Sequence, residues 1–343
     1  MKFSKRLKSV LPVIGLAALY GLIMLLKSMG IANNYHIQIL MFAGVNIMMT
    51  LSLNVVNGFT GQFSIGHAGF MSLGAYGSAI ITTLILKPSV IPASMQIPVF
   101  LLSLLVGGLV AAMVGYLIGL PTLKLKGDYL AIVTLAFGEI VRAGLRLIEP
   151  IGAARGMIGV PNYANLAWIF LFVALTLFFV RNIIYSRFGR AWIAIRDNEI
   201  AGEAMGIDST RYKIISFTFS AFIAGVAGGL YAHVVSFIQP DTFSFVKSSD
   251  LLVFLYAGGS GSLTGSIVGA LLLTSLPEAL RFLASWRLVI YALVLVIVML
   301  YRPKGLTGGY ELPFLRITRK EIYENRKKKL PETPLQETEE GEM

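Results

Sequence analysis

The sequence contains no cysteine and little charge: only 14% of its 343 residues are Asp, Glu, Lys or Arg. The missing cysteines exclude disulfides, thiolate metal sites and thiol nucleophiles. The scarce charge excludes an ordinary soluble domain, where about one residue in four is charged. Enzyme patterns are missing too. There is no H-E-x-x-H, no G-x-S-x-G and no clustered pair of carboxylates. The glycine-rich stretches lack G-x-x-x-x-G-K-S/T, so the chain has no cradle for ATP phosphates. His67 and His233 stand alone, without metal-ligand spacing. The reading is therefore no catalytic residue, no metal and no cofactor bound by this chain.

What is present is apolar length. With 56% hydrophobic residues and a mean hydropathy of +0.74, this is an all-α polytopic membrane protein. The net charge of +11 does not point to nucleic acid, because zinc-finger and RNP-type patterns are absent. Its basic residues lie between and beyond apolar runs, where they set orientation. Runs able to cross a core of roughly 30 Å lie near 11–27, 35–56, 65–86, 97–120, 129–148, 166–185, 213–236 and 286–302. The first follows MKFSKRLKSV without a small-x-small cleavage site and reads as a retained span.

Lys2, Lys5, Arg6 and Lys8 place the N-terminus in the cytoplasm, Lys124 and Lys126 mark a cytoplasmic turn, and Arg302 and Lys304 begin a cytoplasmic tail. These assignments alternate correctly if 250–283 enters and returns as broken half-helices. The expected topology is eight full spans plus one re-entrant element, with both termini cytoplasmic; ten spans is the alternative count. Residues 1–302 form the transmembrane domain. Residues 303–343 form a partly disordered charged tail that shifts from basic to acidic, its basic part facing anionic lipid.

Two glycine-rich regions interrupt the pattern, NGFTGQFSIGHAGFMSLGAYGSA at 57–79 and YAGGSGSLTGSIVGALL at 256–272. Non-helical backbone at membrane depth must be buried in protein or line a watery cavity, and transporters place such breaks around their substrate. Close helix packing through Gly66, Gly69, Gly74 and Gly77 is the plainer use of the same residues. The residues expected along a path are Gln62, Ser64, His67, Gly258, Gly259 and Gly261, with Glu139 and Arg142 on the fifth span. Glu139 lies about 15 Å deep at 1.5 Å per residue. Arg142, three positions on, can pair with it to fix packing, or the pair can face the path and Glu139 meet a substrate ammonium.

The stretch 186–213, SRFGRAWIAIRDNEIAGEAMGIDSTRYK, carries both signs of charge and too much helix-forming sequence for a connector. Trp192, Ile193, Ile195 and Ile200 supply apolar surface; Arg190, Arg196, Asp197, Glu199 and Glu203 supply charge. Asp197 or Asn198 can cap a second short helix and Gly206 can end it. Such a pair suits a groove in a protein partner; a helix lying on lipid headgroups would carry fewer acidic residues.

NGFTGQFSIGHAGFMSLGAYGSA, LKLKGDYLAIVTLAFGEIVR, SRFGRAWIAIRDNEIAGEAMGID and AGGSGSLTGSIVGALLL resemble, in order, the blocks of branched-chain amino-acid ABC-transporter permeases, most of all the M-type member of the paired H/M permeases. The resemblance implies an inner-membrane subunit of an importer for leucine, isoleucine and valine, with urea, short amides or other amino acids as alternative cargo. It implies an H-type permease partner, two ATPase subunits that bind ATP and Mg, and a periplasmic or lipid-anchored binding protein. It makes 190–206 the ATPase-coupling element, with Glu203, Ala204 and Gly206 at its core. A gradient-driven transporter or channel acting alone, and a membrane scaffold without a path, are the rival classes.

Overall fold

Long apolar runs become long helices, and the glycine-rich regions become the breaks between them. The computed structural model describes residues 21, 33–86, 92–123, 125, 127–302, 304–312 and 315. The expected span at 11–27 (apart from Gly21), Lys124, Lys126 and the tail after 315 lie outside them.

Helix α1 (Asn34–Asn54) runs on through a π-helical turn, Val55–Phe59. Residues 60–66 are non-helical, and α2 (His67–Ile80) then continues into a second π-helical turn, Ile81–Ile85. After α3 (Gln96–Thr122) comes α4 (Asp128–Leu147), and α5 (Leu166–Ile184) leads to the short α6 (Arg187–Asp197) and α7 (Glu199–Ala204). Helix α8 (Ser209–Val235) is followed by α9 (Phe245–Gly258), α10 (Leu263–Ala279) and α11 (Arg287–Tyr301). Two-residue strands β1 (Met157–Ile158) and β2 (Phe237–Ile238) pair antiparallel, Met157 opposite Ile238. Five of the described helices are long and apolar enough to cross a membrane: those at 34–59, 67–85, 96–122, 166–184 and 209–235. Helix α4 has the length but carries Asp128, Glu139, Arg142 and Arg146. The protein is an all-α, multi-pass membrane protein.

The expected re-entrant stretch forms two helices, α9 and α10, parted by Gly259–Ser262. Positive φ at Gly259 (124°) and Gly261 (75°) reverses the chain there, a conformation that side chains with a Cβ rarely adopt. Helix α8 begins at Ser209, so the last five residues of the expected 186–213 loop are its first turn.

Strand β1 follows α4 and β2 follows α8, so their pairing puts the C-terminal ends of α4 and α8 at one end of the molecule. Helices α6 and α7 join the end of α5 to the start of α8 and occupy the other. The core lies where α2, α3 and α8 cross, backbone against backbone. A Cβ on Gly107 would stand 2.6 Å from the Gly74 carbonyl oxygen, and one on Gly225 would stand 2.6 Å from Ala111 Cβ. Phe70, Met71 and Phe217 fill the adjoining space and are buried. Gly69 lies against Gly138 of α4, and Gly77 against Gly107. Packing thus accounts for the regular glycines of the first region.

Candidate functional site

The two breaks meet at the α6–α7 end. Asn54, the last residue of α1, is fully buried. Its amide nitrogen donates to Ser262 O (2.8 Å) and Ser266 Oγ (2.7 Å), and its oxygen accepts from Gly261 N (2.8 Å). Gly58 sits so close to the second break that a Cβ on it would be 2.5 Å from Gly261 N. Asn57 braces the first break: its side chain accepts from Ser64 N (3.2 Å) and donates to Ser64 O (3.3 Å). Residues after α11 close over the second. Leu306 N donates to Ala257 O (2.8 Å), and the Glu311 carboxylate accepts from Leu263 N (2.6 Å) and Thr264 Oγ1 (2.9 Å), capping α10.

Around this junction lie most of the path residues expected from sequence. In the segment 60–66, Gln62 and Ser64 point inward while Gly61 and Phe63 are exposed, the alternation of extended chain. Gln62 is only 5% exposed, and among the described residues neither its amide nitrogen, its amide oxygen nor Ser64 Oγ has a hydrogen-bond partner. His67 Nε2 lies 3.0 Å from Ser52 Oγ and 2.9 Å from Ser220 Oγ, which ties α1, α2 and α8 together. Gly258 packs on Gly265, and Gly259 and Gly261 make the turn.

Glu139 and Arg142 stand apart from that junction. They pair with each other as their spacing predicts, and Arg142 Nη1 lies 3.7 Å from Asp241. Arg146 also pairs with Asp241 and holds that carboxyl below its usual range. Glu139 has a further role that the sequence hid: it accepts from Phe245 N (3.1 Å) and so caps α9. Both members of the Glu139–Arg142 pair remain about one-quarter to one-third exposed (33% and 26%). A narrow crevice lined by Ile65, Glu139, Ser244, Phe245 and Ser248 runs between this cluster and the first break.

The α6–α7 pair is built by its caps. Ser186 accepts from Phe188 N (3.1 Å), Asn198 from Ala201 N (3.0 Å) and Asp208 from Arg211 N (3.0 Å). Of the two expected caps, Asp197 and Asn198, it is Asn198 that caps α7, and Gly206 follows its end at φ 80°. The side chains then sort into two sets. Trp192 and Ile195 turn inward; Trp192 is fully buried and its Nε1 donates to Tyr212 O (2.9 Å). Glu199 pairs with Lys213 at 2.8 Å and Glu203 accepts from Ser209 Oγ, fastening α7 to the start of α8. Arg190, Asp197, Ala204 and Gly206 are exposed, as are two apolar knobs, Ile200 (76%) and Met205 (83%). Arg196 reaches back to the membrane helices, where its Nη1 donates to Gly58 O (3.2 Å).

Sequence reading missed Asn54 and Glu311. It also missed Lys247, which donates to Asn46 Oδ1 (3.0 Å) inside the bundle. Asn46 and Asn54 did carry a signal, as amides within an otherwise apolar run. Among the described residues no group of three or more His, Cys, Asp or Glu could hold a metal ion.

Helix breaks buried between membrane-length helices, with an exposed helix pair fixed beside them, define a multi-pass membrane transport protein. Residues 35–300 match the family of the permease component of branched-chain amino acid transport systems, and the chain belongs to that family. It is 34% identical over 297 residues to the high-affinity branched-chain amino acid transport system permease protein LivM of Escherichia coli (strain K12), covering 76% of this chain and 67% of that one. A probable LivM permease of Methanocaldococcus jannaschii is 24% identical over 322 residues, covering 78% and 92%. The E. coli permease LivH is 32% identical over 151 residues, covering 42% and 47%. No solved structure matches the chain.

Proposed function

We propose that this chain is one of two permease subunits of an ATP-driven importer for branched-chain amino acids in the prokaryotic cytoplasmic membrane. The observation that carries the reading is the exposed side of the extended segment 60–66. Phe63 is exposed there beside Tyr256 of α9, while His67 four residues on bonds Ser52 and Ser220 well inside α1 and α8. Extended backbone at that depth cannot face lipid. It requires a protein neighbour or a watery path, and a second, H-type permease supplies both. The end carrying α6 and α7 is then cytoplasmic, as are both termini, and the β1–β2 end faces the binding protein. In this arrangement the α9–α10 turn lies at the cytoplasmic end and α10 runs back along α1 from Asn54 to Tyr35, which supports the alternative count of ten spans over eight with a re-entrant element.

Two separate ATPases bind ATP and Mg, and one of them docks on α7, whose exposed knobs Ile200 and Met205 suit a hydrophobic groove. The chain performs no covalent chemistry. Loaded binding protein docks outside, ATP closes the ATPases, and the α6–α7 pair carries that movement to the breaks. Branched-chain cargo rests on the relatives' names and on a partly exposed acid–base pair, Glu139 and Arg142, matched to a zwitterion.

The test is purification of the chain from its native membrane, followed by ATPase and uptake measurements with leucine and with urea. A second permease, two ATPases and leucine-stimulated hydrolysis are expected. A solitary chain that still moves solute down a gradient sinks the reading. Met205→Asp, which places a charge in the docking groove without touching the fold, is expected to lower both co-purification of the ATPases and uptake at least about tenfold. Glu139→Gln keeps an acceptor for Phe245 N but weakens the pair with Arg142. It is expected to lower leucine uptake by about tenfold with normal assembly, and unchanged uptake removes Glu139 from the path.

A further inference from the structure

We propose that Arg196 is the residue through which the coupling helices hold both helix breaks at once, and that this contact sets how much transport each ATP yields. The proposal rests on the ATP-coupled reading above. Arg196 occupies the last turn of α6, one position before the carboxylate that anchors it. Its Nε and Nη2 donate to Asp197 Oδ1 at 3.0 and 2.9 Å, which leaves Nη1 for the Gly58 carbonyl at 3.2 Å. The stem lies against the first break: a Cβ on Gly61 would be 2.8 Å from Arg196 Cγ. The head lies against the second: a Cβ on Gly261 would be 3.2 Å from Arg196 Nη1 and 3.5 Å from Gly58 O. One side chain thus touches two interruptions that are far apart in sequence yet joined in space by Asn54.

The geometry needs arginine. A planar guanidinium offers five donors in a fixed fork, so it can grip Asp197 with one edge and Gly58 with the other. A lysine ammonium presents a single point charge and must give up one partner. The neighbouring connections give this contact leverage. Asp197 is followed at once by Asn198, the cap of α7, and α7 exposes the surface offered to the ATPases. On its other side α6 is fixed to α8 through Trp192 and Tyr212. A displacement of α7 therefore reaches the breaks by the short route through Asp197 and Arg196.

The experiment uses the whole transporter in proteoliposomes, with leucine, binding protein and ATP. Arg196→Lys is expected to keep subunit co-purification and ATP hydrolysis within about twofold of the unsubstituted complex, while leucine taken up per ATP falls about tenfold. An unchanged ratio overturns the proposal. A docking role for Arg196 would instead lower co-purification, as Met205→Asp does, and that outcome also overturns it. Because the chain has no cysteine, Ser260→Cys at the exposed second break provides a probe of its movement. Its maleimide labelling is expected to change severalfold with nucleotide when Arg196 is present and to lose that response in Arg196→Lys. If Arg196→Lys does not assemble, Asp197→Ala removes the oxygen that anchors the guanidinium and must also blunt the response; a full response overturns the proposal. A probe that ignores nucleotide in the unsubstituted chain, while the ATPases hydrolyse it, refutes the coupled reading itself and the proposal with it.

Discussion

Gly74→Ala is expected to destabilise the protein by at least ~3 kcal/mol, whereas Gly144→Ala should stabilise it by up to about 1 kcal/mol. Intrinsic helix propensity favours alanine at both positions, since glycine loses more backbone freedom on folding. The surroundings decide the sign. Gly144 lies on the exposed side of α4, with nothing among the described residues within 4 Å of the place a methyl group would take. Gly74 lies where α2 meets α3 and α8, and a methyl group there would land on the carbonyl oxygen and Cα of Gly225. Backbone cannot rotate aside as a long side chain can, so the helices themselves must part. Parting them also breaks the seat of Gly107 on Gly74 and of Gly225 on Ala111. The measurement is thermal denaturation of both variants in the same detergent, where a fall of ~10 °C is expected for Gly74→Ala. Equal midpoints for the two variants would show that the crossing can open cheaply.

The contrast between those glycines marks how far the sequence could be read. The five spans at 34–59, 67–85, 96–122, 166–184 and 209–235, a break within 250–283, a cap at Asp197 or Asn198 and the Glu139–Arg142 pair were legible. Each follows from local composition or from neighbours within one helical turn. The facing of side chains was not legible. Trp192, Ile195, Arg196 and Ile200 give α6 and α7 apolar and charged residues on several sides, and only the position of α8 decides which turn inward. Contacts between distant parts of the chain were equally hidden. Glu139 caps a helix 106 residues away, and Glu311 reaches back 48 residues to cap α10. A carboxylate that caps a distant helix looks in sequence like any other carboxylate.

Asn54 is the sharpest case, and its replacement carries the largest expected effect on the junction. Transfer scales favour leucine in an apolar helix by about 0.5 kcal/mol, so composition alone welcomes Asn54→Leu. The structure opposes it. Leucine leaves Gly261 N–H without an acceptor and removes the donor to Ser262 O and Ser266 Oγ. A buried polar group left unpaired costs about 1–3 kcal/mol. The Gly261 amide bears most of that cost, because it lies in the non-helical turn between α9 and α10 and its acceptor is Asn54 Oδ1. Ser262 O and Ser266 Oγ suffer less, since they also bond each other at 3.1 Å. The expected net loss is therefore ~3 kcal/mol for Asn54→Leu, and about 1 kcal/mol for Ser266→Ala, which removes the Oγ bonds to Asn54 and Ser262 O but leaves Gly261 N–H its acceptor. A double-mutant cycle between the two should return a coupling of about 1 kcal/mol. Leucine uptake should fall further than stability does, because the same amide holds the two breaks in register beneath Arg196. An Asn54→Leu protein that denatures at the unsubstituted midpoint would mean that the breaks are held by their glycine packing alone.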